Sequence, residues 1–259
     1  MSDNIQESCQ NKEQVQKHYQ NIAVNFDELW TYSQDFIIFI SEKIVKKLEF
    51  KSQDIFLDLG CGTGLFTKEI NNIVGFDNPV ICCDISANML AQLSDNSDYK
   101  CVAMDAVEFS RQSYEYDKIL IKEMIHHLNV NEQEKLTENI FARLHLGGKF
   151  LLILLPPTIE YPLFEAALSR YEELQPDYKY LVELFNKTGF KTSVDFVEYP
   201  LSIPKNRYIM MVKNRYMSLL SSFDDNEIQE GVFEIEQKYS DKDILEFNDR
   251  FVCIVGEKY

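Results

Sequence analysis

Five glycine-rich residues, Gly60-Cys61-Gly62-Thr63-Gly64, follow the apolar run Asp54-Ile55-Phe56-Leu57-Asp58-Leu59. Glycines here let the chain turn sharply and bring its backbone close to a ligand that a Cβ would exclude. A helical pattern starts at Leu65, so the first N–H groups of a helix face the same point. The turn is not a P-loop, because the Gly-Lys-Ser/Thr ending is absent. It also lacks the Gly-x-Gly-x-x-Gly spacing of nicotinamide-binding folds. Two carboxylates follow at comparable places: Asp84 ends the apolar run after Pro79, and Asp105 ends the run after Tyr99. A carboxylate at Asp84 can accept two hydrogen bonds from ribose hydroxyls. One at Asp105 can accept from an adenine amino group, with the Ala106 N–H addressing a ring nitrogen. Either aspartate alone could be a helix cap or turn residue; together with the glycines they describe one nucleoside site.

These groups need strand ends to carry them. Residues 13–30 and 34–48 repeat apolar positions at helical spacing (Phe36, Ile37, Ile40, Ile44, Val45 and Leu48 in the second). Apolar strands then alternate with helices: strands at 54–59, 79–83, 99–104, 117–121 and 149–155, with helices at 65–74, 86–93 and 131–144 between them. Ser86 is placed to cap its helix, and Gly147-Gly148 to stop the last one. Near-continuous apolar strands alternating with helices predict an α/β fold, a mostly parallel sheet with helices on both faces. Beyond 156 the pattern predicts helices at 163–174, 178–187, 204–220 and 224–239, and strands at 192–199 and 250–255. Residues 204–240 thus form a helical cap inserted before the last strand. The expected division is an N-terminal helical lid over 1–48, a binding core over 49–203, the cap over 204–240 and a core-completing strand within 241–259.

Composition narrows the partners. The 259 residues carry a net charge of −16, from 26 Lys and Arg against 42 Asp and Glu. That surface repels a nucleic-acid backbone and suits a small or cationic acceptor. The longest dense apolar run, 150–157, is far short of the roughly 20 residues a membrane span needs. Residues 1–12 are polar and lack the basic and apolar regions of a secretory signal. The six cysteines have no metal-ligand spacing, so free thiols in a reducing, cytoplasmic setting are expected, with no metal and no disulfide. The chain is expected to be a monomer or a homodimer.

Asp58-Leu59-Gly60-Cys61-Gly62-Thr63-Gly64, Cys83-Asp84-Ile85-Ser86, Met104-Asp105-Ala106, Tyr116-Asp117 with His126-His127-Leu128, and Leu146-Gly147-Gly148-Lys149-Phe150 resemble the successive motifs of class I S-adenosylmethionine-dependent methyltransferases. The similar subgroup is the small-molecule one around the ubiquinone-biosynthesis and trans-aconitate methyltransferases, and the resemblance covers roughly residues 50–156. It implies a Rossmann-like seven-stranded sheet whose last two strands pair antiparallel. It also implies S-adenosylmethionine as methyl donor, S-adenosylhomocysteine as product, and a small-molecule nitrogen or oxygen as acceptor.

By that resemblance Asp58 would hold the methionine ammonium. Gly60 and Gly62 would line the methionine portion, with Cys61 and Gly64 completing the turn. Asp84 would bind the ribose, Ile85 and Met89 would pack on the adenine, and Asp105 and Ala106 would read its edge. Lys122-Glu123-Met124 would lie beside the methyl donor; relatives often carry small or neutral residues there. Tyr19, in a stretch like the family's lid helix, would contact the cofactor carboxylate. An activated donor asks the protein mainly to position the acceptor and exclude water, and a base is needed only if the acceptor must lose a proton. His126, His127 and Glu123 are the candidates, each of which could instead be a lining or solvated residue. For the acceptor, Trp30 and Tyr32 could line its pocket, together with Tyr208. Arg207 and Arg215, eight residues apart on one expected helix, could hold a carboxylate between them. A carboxylate O-methyltransferase and a non-catalytic S-adenosylmethionine-binding protein are the alternatives.

Overall fold

The computed structural model describes residues 33–259. Tyr19, Trp30 and Tyr32 lie outside the described residues, as does most of the expected N-terminal lid. The described chain opens with α1 (Gln34–Leu48), whose Ser33 side chain accepts a hydrogen bond from the Phe36 N–H. Its apolar residues Phe36, Ile40, Ile44 and Leu48 recur every three or four positions and are buried, as an amphipathic helix lying on a sheet requires.

Strands and helices then alternate: β1 (Phe56–Leu59), α2 (Leu65–Val74), β2 (Val80–Asp84), α3 (Ala87–Leu90), β3 (Tyr99–Ala103), α4 (Ala106–Ser110), β4 (Tyr116–Lys122), α5 (Val130–Arg143) and β5 (Leu144–Leu154). After β5 come α6 (Glu165–Leu174), α7 (Tyr178–Thr188), β6 (Lys191–Pro204), α8 (Lys205–Lys213), α9 (Asp225–Lys238) and β7 (Ile244–Glu257). The seven strands form one sheet in the order β3-β2-β1-β4-β5-β7-β6. The first five are parallel, and β7 runs antiparallel between β5 and β6. This is the α/β architecture expected from the sequence. The order reverses at β1, so the crevice beyond the carboxyl ends of β1 and its neighbours is where such a sheet takes its ligand.

Successive side chains alternate between the two faces. Phe56, Cys82, Leu120, Leu151, Ile153, Phe251 and Cys253 pack on one face with α1, α2, α6, α8 and α9. Leu57, Leu59, Cys83, Ile119, Ile121, Leu152, Val252 and Ile254 pack on the other with α5 and α7. Cys82 and Cys83 therefore point to opposite faces. Cys61, Cys82, Cys83, Cys101 and Cys253 are free thiols. Among the described residues no helix is long and apolar enough to cross a membrane.

Two local expectations fail. Gly147 and Gly148 do not stop α5, which ends at Arg143, with Leu144 already extended. They shape the irregular start of β5 instead. Gly147 has φ +76, and a Cβ on Gly148 would meet the Leu144 side chain at 2.7 Å; the β4–β5 register shifts beside them. The helix expected over 204–220 is also broken. It ends at Lys213 and gives way to a short 3-10 turn at Ser218–Ser222, with Arg215 between them at φ +52. Strand length was underestimated at the end of the chain: β6 and β7 pair over fourteen residues each, from Lys191↔Glu257 to Pro204↔Ile244.

Candidate active site

The glycine turn leaves β1 with three left-handed residues, Gly60 (φ +81), Gly62 (φ +56) and Gly64 (φ +72). Two of them are also fixed by packing. A Cβ on Gly60 would fall 2.8 Å from Met124, and one on Gly64 would fall 2.4 Å from Leu93. Gly62 differs: among the described residues nothing lies within 4 Å of where its Cβ would be, so they leave its backbone open. Cys61 donates its N–H to the Cys83 carbonyl at 3.2 Å, as does Gly60 at 2.7 Å, which ties the turn to the end of β2.

Asp84 fastens the turn from the other side. Its Oδ2 accepts the Gly62 N–H at 2.9 Å and its Oδ1 accepts the Ser86 N–H at 2.8 Å. Burial raises its carboxyl above the usual carboxylate range, and those two N–H groups pull it back. Ser86 caps α3 as expected. Ile85 is half-buried at the crevice, whereas Met89 is only 1% exposed and belongs to the packed interior. Asp105 caps α4, its Oδ1 accepting the Val107 and Glu108 N–H groups at 2.9 and 3.1 Å. That is the structural role weighed for it, and it sets the carboxylate beside Ala106 at the end of β3.

Asp58 lies beneath the turn, 4% exposed, and accepts a hydrogen bond from Thr67 on α2. Burial pushes its carboxyl up to about 7; the Thr67 hydroxyl and Lys122 oppose the rise and Asp84 adds to it. A buried carboxylate so placed is complemented by a cation. Asp58 and Lys122 alternate onto the same sheet face. Lys122 pairs with Glu123, and its Nζ sits 4.5 Å from the Phe66 ring centroid and 5.0 Å from that of Phe251.

Glu123 has φ +54, a conformation that costs a side-chain-bearing residue about 1 kcal/mol or more. Its N–H donates to the Ile153 carbonyl at 2.8 Å, which holds the bend against β5. His126 and His127 form the next 3-10 turn, their ring centroids 4.0 Å apart. Burial lowers the His126 pKa, with Glu123 opposing, so the imidazole is neutral at pH 7 and able to accept a proton.

The cap residues do not converge as expected. Arg207 is exposed, while Arg215, off the end of α8, donates to the Phe223 carbonyl at 3.1 Å and to Asp225 at 2.7 Å. The two arginines do not share a helix face. Tyr208 is fully buried, its hydroxyl 3.0 Å from that of Tyr216; it belongs to the interior of the cap. Of the methionines, Met211 and Met217 are buried and Met210 is exposed. Among the described residues no cluster has the makings of a metal site.

The glycine turn, Asp84, Asp105, Lys122, Glu123 and the two histidines therefore all follow the carboxyl ends of β1 to β4, around the reversal point of the sheet. Residues 56–148 match the model of a methyltransferase domain. They are a methyltransferase domain of the class I, S-adenosylmethionine-dependent type. Demethylmenaquinone methyltransferase of Staphylococcus carnosus is 27% identical over 195 residues, covering 71% of this chain and 75% of that protein. Among solved structures, phosphoethanolamine N-methyltransferase 2 of Haemonchus contortus superposes with a TM-score of 0.56 at 20% identity. That match covers 85% of this chain and 52% of the nematode enzyme, so the chain spans about half its length. The [4+2]-cyclase SpnF superposes with a TM-score of 0.64 at 12% identity, over 94% of this chain and 95% of that one. The shared fold thus spans nearly the whole chain, and it is also used by a cyclase.

Four residues beside these groups escaped the sequence reading: Thr67 under Asp58, Phe66 and Phe251 around Lys122, and the buried Asp249 two residues before Phe251. Thr67 lies three residues past the glycine turn, where the first helical turn faces back to β1. Asp249 alternates with Phe247 and Phe251, a visible signal once the last strand is begun at Ile244 rather than Arg250.

Proposed function

We propose that the chain transfers a methyl group from S-adenosylmethionine to a nitrogen or oxygen of a small molecule held beside Glu123, His126 and His127. One observation carries the reading: Gly62 donates its N–H to Asp84 at the carboxyl ends of β1 and β2, with Asp58 buried beneath the same turn and held by Thr67. Their donor set fits the cofactor. The buried Asp58 carboxylate suits its ammonium, Gly62 leaves room for its backbone-hugging portion, and Asp84 suits its ribose hydroxyls. Asp105 and Ala106 suit the adenine edge, and half-buried Ile85 its face. When bound, the cofactor supplies an electrophilic methyl carbon on a sulfonium. The protein's own work is then to orient the acceptor nucleophile in line with that carbon and to keep water out. Where the acceptor carries a proton, the His126 ring, held neutral by burial, is the proposed base.

The relatives named above act on a demethylmenaquinone and a phosphoethanolamine, two unlike acceptors, which fits a core that sets the donor and a variable cap that sets the acceptor. The ester-forming alternative loses support, because the arginine pair meant to steer a carboxylate is dispersed. The test is direct. Calorimetry should show S-adenosylhomocysteine binding, and protein incubated with methyl-labelled S-adenosylmethionine and a pool of small metabolites should move label onto an acceptor. Tight binding with no transfer across a broad pool would instead favour a binding protein or non-methyl chemistry, and absence of binding would sink the site altogether.

A further inference from the structure

Asp249 stands on β7, fully buried. The last β5–β7 pair is Leu154↔Val252, so Asp249 lies three residues beyond the end of β5, opposite Tyr199 of β6. It therefore rises above the same carboxyl edge of the sheet that carries Glu123. Strand alternation puts it on the face of Phe251, whose ring borders the Lys122 ammonium. Asp58, Lys122 and Asp249 thus follow one another across a single face, Lys122 acting electrostatically on both aspartates.

The two oxygens of Asp249 are not alike. Oδ1 accepts the Tyr161 hydroxyl at 2.6 Å. Oδ2 is buried and has no hydrogen-bond partner among the described residues. A carboxylate oxygen left this way costs several kcal/mol if charged, and proteins keep such groups where a ligand completes them. Lys122 acts on Asp249 through its charge alone, its ammonium hydrogen-bonding Glu123 and not Oδ2. The surroundings are aromatic: Phe247 lies 5.2 Å from Tyr161 and 5.8 Å from Tyr208, ring centroid to centroid. A carboxylate among electron-rich rings is a setting for a cation with an N–H to give.

We infer that Asp249 is the acceptor-side carboxylate, its Oδ2 taking an N–H of a protonated amine on the acceptor, with Tyr161 fixing the carboxylate through Oδ1. The inference rests on the methyl-transfer reading above and names its substrate class: amines rather than alcohols or carboxylates. Asp249 sets specificity on this account by binding the ammonium form; the reacting nitrogen gives up one proton, with His126 as the proposed base, before its lone pair attacks the methyl carbon and S-adenosylhomocysteine leaves.

The experiment titrates the protein, saturated with S-adenosylhomocysteine, with phenethylamine and with its neutral analogue 2-phenylethanol, following both by calorimetry and by the ¹³C carboxyl resonance assigned to Asp249. Phenethylamine should bind at least tenfold more tightly than the alcohol and move that resonance. Asp249→Asn should abolish the preference while leaving S-adenosylhomocysteine affinity within twofold. Tyr161→Phe, which keeps the carboxylate and removes only its positioning hydroxyl, should reduce the preference severalfold. Equal binding of the two probes, binding of neither, or a preference undiminished in either variant would overturn the inference while leaving the methyltransferase reading intact. Failure of S-adenosylhomocysteine to bind the unmutated protein would remove that reading instead.

Discussion

Gly62 donates its backbone N–H to Asp84 Oδ2 across 2.9 Å, joining the glycine turn after β1 to the end of β2. Two features 22 residues apart in sequence are thus one object. The left-handed Gly62 aims its N–H at the carboxylate, and the carboxylate, doubly held, keeps its remaining lone pairs over the crevice. An aspartate accepts at both oxygens, whereas an asparagine accepts at only one; here both oxygens receive backbone N–H groups.

Asp84→Ala should therefore weaken S-adenosylhomocysteine binding by about 30- to 150-fold, the equivalent of two hydrogen bonds at roughly 1–1.5 kcal/mol each. Asp84→Asn should be nearly as damaging, because its amide N–H₂ must confront either the Gly62 or the Ser86 N–H. Calorimetry on both variants is the check. Affinity unchanged in either would show that this carboxylate does not meet the ligand.

The glycines should separate by what a Cβ would strike. Gly64→Ala places a methyl 2.4 Å from Leu93 and should cost about 2–4 kcal/mol of stability, visible as a Tm lower by roughly 5–15 °C. Gly62→Ala meets no atom of the described residues, so the left-handed strain of about 1 kcal/mol is the main cost. It should lower Tm by roughly 2–4 °C yet impair cofactor binding, since the open space is where the ligand approaches. Equal thermal losses in the two variants would contradict this division.

Tyr208 separates a packing role from a binding one. Its hydroxyl is buried against that of Tyr216 at 3.0 Å. Tyr208→Phe should cost about 1 kcal/mol of stability and leave KM for the acceptor within twofold. A KM raised tenfold or more with stability unchanged would return Tyr208 to the acceptor pocket.

The contrast between core and cap explains what the sequence disclosed. β1 to β5 were legible because buried parallel strands read as apolar runs and their ends carry glycine or aspartate. Asp58, Asp84 and Asp105 are singled out by position, and the structure sets Asp58 within β1, Asp84 at the end of β2 and Asp105 just past β3. The cap was not legible, because its fate hangs on tertiary contacts. Arg215 looks helical by composition but turns left-handed to reach Phe223 and Asp225, and Tyr208 looks like a pocket residue until its partner eight residues on is seen. Asp249 was hidden by a strand boundary set six residues too late, and Gly147-Gly148 look the same whether they stop a helix or bend a strand.

Asp58 makes a prediction about pH whose sign is unusual for a carboxylate. Its ordinary pKa of 3.8 is raised to about 7 in the folded chain, chiefly by burial. The folded state thus holds a proton that the unfolded state releases between about pH 4 and 7. By linkage, this group's stabilisation is complete below about pH 4, is lost as pH rises through 7, and is constant above. Asp249, raised to about 7 by burial and by Glu123, acts in the same window. His126, lowered by burial, and His145, raised by Asp117, titrate nearby with opposite signs, so the informative quantity is the difference between variant and parent. Asp58→Asn should be more stable than the parent at pH 8, by on the order of 1–3 kcal/mol, with the advantage shrinking towards pH 5, while cofactor affinity falls at least tenfold. Binding to the unmutated protein at pH 6 should release close to one proton, measured by calorimetry in buffers of different ionisation enthalpy, because a ligand ammonium beside Asp58 draws its carboxyl into the charged form. A variant less stable than the parent at pH 8, or binding without proton release, would show that Asp58 is a structural acid rather than the seat of a cation.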